Sequence, residues 1–259
     1  MADGAVTGRA RAGERQDEDG SSAPPALGRP RDPDLERRAM TAALEVYGTV
    51  GWSGYTLGKV AARAHLGKSS LYRRWSDKSE LLLDAFNEND AFFAHRLERL
   101  DGLPFVLRIR RMVRDRLSSY FTPVGLAVLR INMENQADPD GVGEVWSRSV
   151  GRAVLRTRGM IHQAIQAGEL RPDTSVVHLG DALEGAMIMH ALATPRGLRD
   201  RTIEGLDDYA DALVDRVVAP WLTEAGRVDD FDGPSAPSLG DPGDPARAAS
   251  GADAAGRED

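Results

Sequence analysis

From Pro33 to about Leu222 the apolar residues recur at intervals of three and four, the spacing of one helix face. Runs of alternating β-branched or aromatic residues are nearly missing. The pattern predicts a first helix beginning near Pro33, with Met40, Ala43, Leu44 and Tyr47 on one face, ending before Gly51. Thr56 opens a short helix over 57–64, and the turn His65-Leu66-Gly67 leads into another over 68–75. Ser76, with Ser79 and Glu80 close behind, is expected to cap a longer helix through Leu81, Leu82, Ala85 and Phe86. Phe105, Ile109, Met112, Val113 and Tyr120 mark the next. A shorter helix covers about 124–135, stopped by Pro139 and Gly141, and Trp146, Val150, Ala153, Val154, Ile161 and Ile165 mark one long helix ending at Gly168. Two more run over roughly 175–193 and 202–222. The expected fold class is all-α, with about nine helices and no internal repeat.

Residues 1–27 and 225–259 depart from this pattern. Both are small, polar and rich in Gly, Ala and Pro, and too poor in apolar surface to offset the cost of ordering, so both are expected to be disordered tails, the second of them acidic. Charge divides the rest. The chain carries a net −7, yet residues 28–79 hold ten basic residues against five acidic, while 1–27 hold three against five and 80–259 hold twenty against thirty. All three lysines, Lys59, Lys68 and Lys78, fall in the basic stretch. An acidic chain with one basic module suits a nucleic-acid partner, because phosphate neutralisation is local.

Composition removes several classes of chemistry. There is no cysteine, which excludes disulfides, thiol catalysis and Cys-ligated zinc. No stretch reaches the ~20 apolar residues of a membrane span, and residues 1–20 contain no apolar signal core, so a cytoplasmic protein without a membrane partner is expected. Gly67-Lys68-Ser69 superficially matches the end of a phosphate-binding loop, but position 62 is alanine where that loop needs glycine, and no strand precedes it. Neither a Gly-x-Ser-x-Gly elbow nor a His-Glu-x-x-His motif occurs. His65, His95, His162, His178 and His190 show no close pairing of the kind metal sites prefer. No catalytic residue, metal or cofactor is expected, and the chain is not read as an enzyme.

The informative stretch is 56–75, TLGKVAARAHLGKSSLYRRW. Two short helices separated by a three-residue turn, with small residues (Ala61, Ala64) where they cross, form a helix-turn-helix. Leu57, Val60, Leu66, Leu71 and Trp75 supply the apolar side that fixes their angle, and the second helix exposes Lys68, Ser69, Ser70, Tyr72, Arg73 and Arg74. Hydroxyls and amide groups at the first turn suit phosphates, and the cations suit phosphates or guanine edges. Directly ahead of the first helix, Gly28-Arg29-Pro30-Arg31 reads either as a solvated linker or as an arm whose Arg29 and Arg31 enter a narrow minor groove.

From Arg37 to Phe86 the chain resembles the TetR family of one-component transcriptional regulators. The residues that carry this are Gly51–Leu57 (GWSGYTL), Val60–Ala64 (VAARA), Gly67–Trp75 (GKSSLYRRW) and Ser76–Leu82 (SDKSELL). Two positions depart from the family: His65 stands where glycine is usual, and Gly67 replaces the commoner serine cap. The resemblance implies a helix-turn-helix DNA-binding domain over 28–79 and a helical ligand-binding and dimerisation domain over 80–224. It implies that Thr56 caps the second helix and binds a phosphate, that Ser69, Ser70, Tyr72 and Arg73 lie on the recognition helix with Lys68 and Arg74 at backbone or base edges, and that Lys78 touches a phosphate. The expected partners are double-stranded operator DNA, a second copy of the chain and an unidentified small-molecule effector. Binding of the effector would move the fourth helix and release a homodimeric repressor from DNA. An architectural or activating DNA binder without small-molecule control is the alternative. Leu179, Leu183, Ala186 and His190, with Leu206, Tyr209, Ala210, Leu213 and Val217, are the expected dimer stripes, and Met112, Leu129, Met133, Trp146, Met160, His162 and Met187 are candidate pocket lining. Core packing would account for each of these residues as well.

Overall fold

The computed structural model describes residues 33–228. The expected tails, except for 225–228, and the arm with Arg29 and Arg31 lie outside the described residues. Within them the fold is all-α, and the single extended contact is an isolated bridge between Leu170 and Leu222. Eleven helices are formed: α1 (Pro33–Gly54), α2 (Leu57–Arg63), α3 (Lys68–Tyr72), α4 (Lys78–Glu98), α5 (Phe105–Tyr120), α6 (Pro123–Ala137), α7 (Pro139–Arg148), α8 (Val150–Gln166), α9 (Val176–Ala193), α10 (Arg199–Glu204) and α11 (Leu206–Val217).

The excess over nine has local causes. Pro139 does not stop a helix but opens α7 in its first turn, where its missing N–H costs nothing, and the Asp138 carboxylate accepts from the Gly141 N–H at 3.0 Å. The expected long helix from Trp146 to Ile165 is therefore two, broken at Ser149, whose backbone leaves the helical region. The expected last helix likewise divides at Gly205 into α10 and α11. At the start of α4 the cap is Asp77, which accepts from the N–H groups of Ser79 and Glu80, rather than Ser76. Ser76 instead donates through its hydroxyl and its N–H to Glu80.

Two hydrophobic clusters hold the helices together. One gathers α1 to α4 around Tyr47, Tyr55, Leu71, Trp75 and Phe86 and also takes in Ala127 and Ile131 of α6 and Val142 and Val145 of α7. The other packs α5, α8, α9 and α11 around Phe105, Ile109, Leu117, Ile161 and Leu183. Packing thus runs across residue 79: α6 lies against α1 so closely that a methyl group on Gly48 would sit 3.0 Å from the Ala127 nitrogen. Among the described residues no helix is long and apolar enough to cross a membrane.

Candidate nucleic-acid interface

The interface is built on α2 and α3. Thr56 is extended and its hydroxyl accepts from the Lys59 N–H at 3.3 Å, closing the start of α2, as Ser, Thr and Asp caps do. Leu57, Val60, Ala61 and Ala64 bury one side of α2 and the turn, Leu71 buries the inner side of α3, and Trp75 is buried just beyond its end. Full burial of a leucine contributes roughly 1.5–3 kcal/mol, so Leu71 alone is a substantial anchor for so short a helix. The Trp75 indole N–H donates to Asp84 of α4 at 2.9 Å, which ties the end of the unit to the next helix.

The turn between the helices carries a cost. His65 has φ of 54°, the left-handed region that favours glycine, and it is the described residue other than glycine with positive φ. Replacing His65 with glycine relieves about 1–2 kcal/mol of left-handed strain against ~0.5–1 kcal/mol of added chain entropy. The expected net gain is ~0.5–1 kcal/mol, measured as a shift of the urea midpoint at constant slope.

The second helix of the pair, α3, ends at Tyr72 rather than at Trp75; on its outer side Lys68, Ser69 and Tyr72 are exposed, Tyr72 by 58%, Ser70 is half-buried, and Arg73, its C-cap, is exposed just beyond. Among the described residues their side chains have no hydrogen-bond or ion-pair partner. The two other cations are already engaged. Arg74 pairs with Glu36 of α1 at 2.8 Å. The Lys78 ammonium donates to the Trp52 carbonyl at 2.9 Å and lies 3.8 Å from the centre of the Trp52 ring. An ammonium has three protons, so this contact leaves donors that can face outward.

Trp52 is itself held from a distant part of the chain. At Gly51, with φ of 69°, α1 kinks. The Glu134 carboxylate of α6 accepts from the Trp52 N–H at 3.1 Å and from the buried Tyr47 hydroxyl at 2.6 Å. Arg130, one turn earlier, donates to the Gly48 carbonyl at 2.9 Å. Burial and the bond to Glu134 push the Tyr47 hydroxyl's pKa well above the usual tyrosine range, so it is a donor throughout the working pH range. Nothing near Gly51 in sequence announces this clasp, because its partners are more than eighty residues away.

A cavity of about 130 Å³ opens between α4, α5, α6, α8 and α9. Phe86, Asn89, Asp90 and Phe93 of α4 form one wall, and Val128 and Asn132 of α6 contribute to another. Each charged residue on its walls is paired: Arg156 with Asp90, Arg116 with Glu184 at 2.8 Å, and Arg111 with Asp115 at 3.0 Å. Glu184 also accepts from the Tyr120 hydroxyl. Of the seven expected pocket residues, Met112 lines this cavity. The others are corrected: Met133 is 70% exposed and His162 is exposed, while Leu129, Met160 and Met187 fill the core away from the cavity. Trp146 lies behind the wall, its indole N–H donating to Asn132 at 2.9 Å.

Of the expected dimer stripes, Leu179, Leu183, Leu206, Ala210 and Leu213 are buried inside the chain, while Ala186, Val217, His190 and Tyr209 are half-buried, with the His190 and Tyr209 rings stacked at 3.8 Å. Helix α9 is apolar on both sides. Its outward side carries Val177, Met189 and Leu192, which with Leu198 and Ile203 are the exposed large apolar residues of this end of the molecule.

Comparison with known proteins agrees with this architecture. The family model for bacterial regulatory proteins of the tetR family matches residues 39–85, and that for the tetracyclin repressor-like C-terminal domain matches 108–217. The HTH-type transcriptional regulator YdeS of Bacillus subtilis (strain 168) is 25% identical over 179 residues, covering 69% of this chain and 89% of its own. The DNA-binding transcriptional repressor TetR of Mycobacteroides abscessus is 38% identical over 64 residues, covering 25% of this chain and 34% of its own. Among solved structures, the transcriptional regulator FadR from Bacillus subtilis, in complex with stearoyl-CoA, superposes with a TM-score of 0.56 at 16% identity, covering 70% of this chain and 97% of that one. The two family models fall on the two halves that the helices build, the reading head and the cavity-bearing bundle, and the chain belongs to the TetR family of DNA-binding transcriptional regulators.

Proposed function

We propose that the chain is a homodimeric repressor that leaves its operator when a small molecule fills the cavity. One observation carries this reading. Helix α4 starts beside the reading head at Lys78 and, further along, forms a wall of the cavity with Phe86, Asn89 and Phe93. A ligand that displaces that wall also displaces the seat of α3, because Trp75 is bonded to Asp84 of the same helix. Helix α6 offers a parallel route, with Val128 and Asn132 on the cavity and Arg130 and Glu134 on α1. Such a ligand must favour the non-binding state by ~1–3 kcal/mol to exert control.

In the bound state Tyr72, Arg73, Ser69, Ser70 and Lys68 face the major groove and its phosphates, Thr56 and Lys78 contact phosphates, and Arg74 reaches the backbone beside its pair with Glu36. Residues 28–79 act as the reading domain and 80–224 as the sensing domain, with α6 and α7 bridging them. The work of the protein is binding rather than catalysis. The solved structure of FadR, a regulator of the same fold in complex with stearoyl-CoA, supports a small-molecule effector.

Genomic fragments captured by the purified chain test the reading. Enrichment of a palindrome whose half-sites are about one helical turn apart, or a multiple of it, is expected; no enriched sequence overturns it. The dimer is tested separately. Aspartate at both Met189 and Leu192 places charge on the exposed face of α9, and sedimentation is expected to show a monomer at micromolar concentration where the natural chain shows a dimer. An unchanged dimer would move the interface elsewhere.

A further inference from the structure

We propose that the cavity takes an uncharged molecule of about ten non-hydrogen atoms, an apolar body bearing one amide-like group that pairs with the carboxamide of Asn89. This rests on the reading of the cavity as the effector site and adds the chemical class of its occupant. Size comes first: a buried water needs ~10–15 Å³ of such volume, so about 130 Å³ accommodates roughly ten water-sized groups.

Charge comes next. The walls carry three carboxylates and three guanidiniums, and each carboxylate is already matched by a guanidinium, Asp115 by a second one as well, Arg96 from behind the wall. An arriving anion would have to take Arg156 from Asp90 or Arg116 from Glu184, leaving a half-buried carboxylate without its guanidinium, or draw Arg111 from Asp115, a carboxylate that it shares with Arg96. A cation would strand an arginine in the same way. Breaking one side of a partly buried pair is unfavourable, since the group left behind keeps the desolvation cost of its buried part. An uncharged molecule disturbs none of the three pairs, and Phe86, Phe93 and Ile188 offer its body an apolar surface.

The remaining polar groups select the functional group. Asn132 spends one amide proton on the Val128 carbonyl, and its oxygen accepts from the Trp146 indole. The hydroxyls of Ser119 and Thr157 donate to the Arg116 and Ala153 carbonyls. Among the described residues the Asn89 carboxamide, half-buried on the cavity wall, makes no hydrogen bond. It presents a donor pair and an acceptor together, and their complement is another amide, or a carbonyl beside an N–H or O–H.

The test compares three eight-carbon probes on the full chain by titration calorimetry: octanamide, octanoate and octylammonium. Octanamide is expected to bind at least tenfold more tightly than either ion. Asn89→Leu is expected to weaken octanamide about tenfold and leave the ions unchanged, and Ala153→Phe, which fills the cavity, to abolish its binding. If octanoate or octylammonium binds more tightly than octanamide and Ala153→Phe blocks it, or if octanamide does not bind, the assignment of an uncharged ligand is overturned. If Asn89→Leu has no effect, the pairing with Asn89 is overturned. The control reading fails differently: octanamide would bind with these preferences and leave the operator complex intact.

Discussion

Alanine at both Tyr72 and Arg73 is expected to weaken operator binding a hundredfold or more while leaving the stability of the fold within ~0.5 kcal/mol. Both side chains are exposed, Tyr72 on α3 and Arg73 at its C-cap, and neither has a partner among the described residues, so the fold loses no contact with them. The loss falls on the complex. One base-reading arginine is worth about 1–3 kcal/mol, and a dimer loses it twice, so even the lower end approaches thirtyfold before Tyr72 is counted. Gel-shift titration at fixed salt is the measurement, with urea unfolding alongside. A change of less than threefold would mean that α3 does not read the groove. Lysine at Arg73 separates two roles: it keeps phosphate attraction but loses the bidentate fork, so affinity for random DNA is retained while discrimination falls.

Glu134→Ala is expected to cost about 2–4 kcal/mol of stability and to weaken DNA binding from a site remote from α3. Its carboxylate satisfies the Tyr47 hydroxyl, which is fully buried, and the Trp52 N–H at the Gly51 kink. Alanine strands both donors where water does not easily reach. Glu134→Gln keeps an acceptor oxygen and should lose less than half as much. Adding Tyr47→Phe to Glu134→Ala should recover ~1 kcal/mol, because it removes the stranded hydroxyl. The DNA effect follows from Lys78, whose ammonium is seated on the Trp52 carbonyl and ring. Calorimetric unfolding with and without each substitution checks the first part, and gel shifts check the second; a loss below ~0.5 kcal/mol would remove the clasp from the account.

What the sequence makes legible depends on the range of the forces involved. The reading head is local. Leu57, Val60, Ala61, Leu71 and Trp75 lie within twenty residues, and their spacing alone fixes which sides of two short helices are buried. The helical class was legible for the same reason. Helix α9 was not, because apolar residues line both its sides. Periodicity drew attention to Leu179 and Leu183, which belong to the core, and passed over Met189 and Leu192, which face outward. Residue type alone points to large side chains such as Met112, Leu129 and Trp146, whereas the cavity walls are assembled from five helices and include arginines and acids. A side chain such as Arg116 reads as a surface residue until Glu184, sixty-eight positions later, is seen beside it. Ser149 shows the limit of spacing arguments. Trp146, Val150 and Ala153 continue one period across it, yet the backbone breaks there.

The length of α4 has a mechanical consequence. Its twenty-one residues make a rod of about 31 Å at 1.5 Å per residue. A tilt of ~5° about its far end swings the Lys78 end by roughly 2–3 Å over that length. In a symmetric dimer both rods swing, and the gap between reading heads changes by ~5 Å, more than one base-pair step of ~3.4 Å. Under the control proposed above the helix would act as a lever, and a displacement at Phe93 smaller than a bond length would become, at the DNA, an error of register.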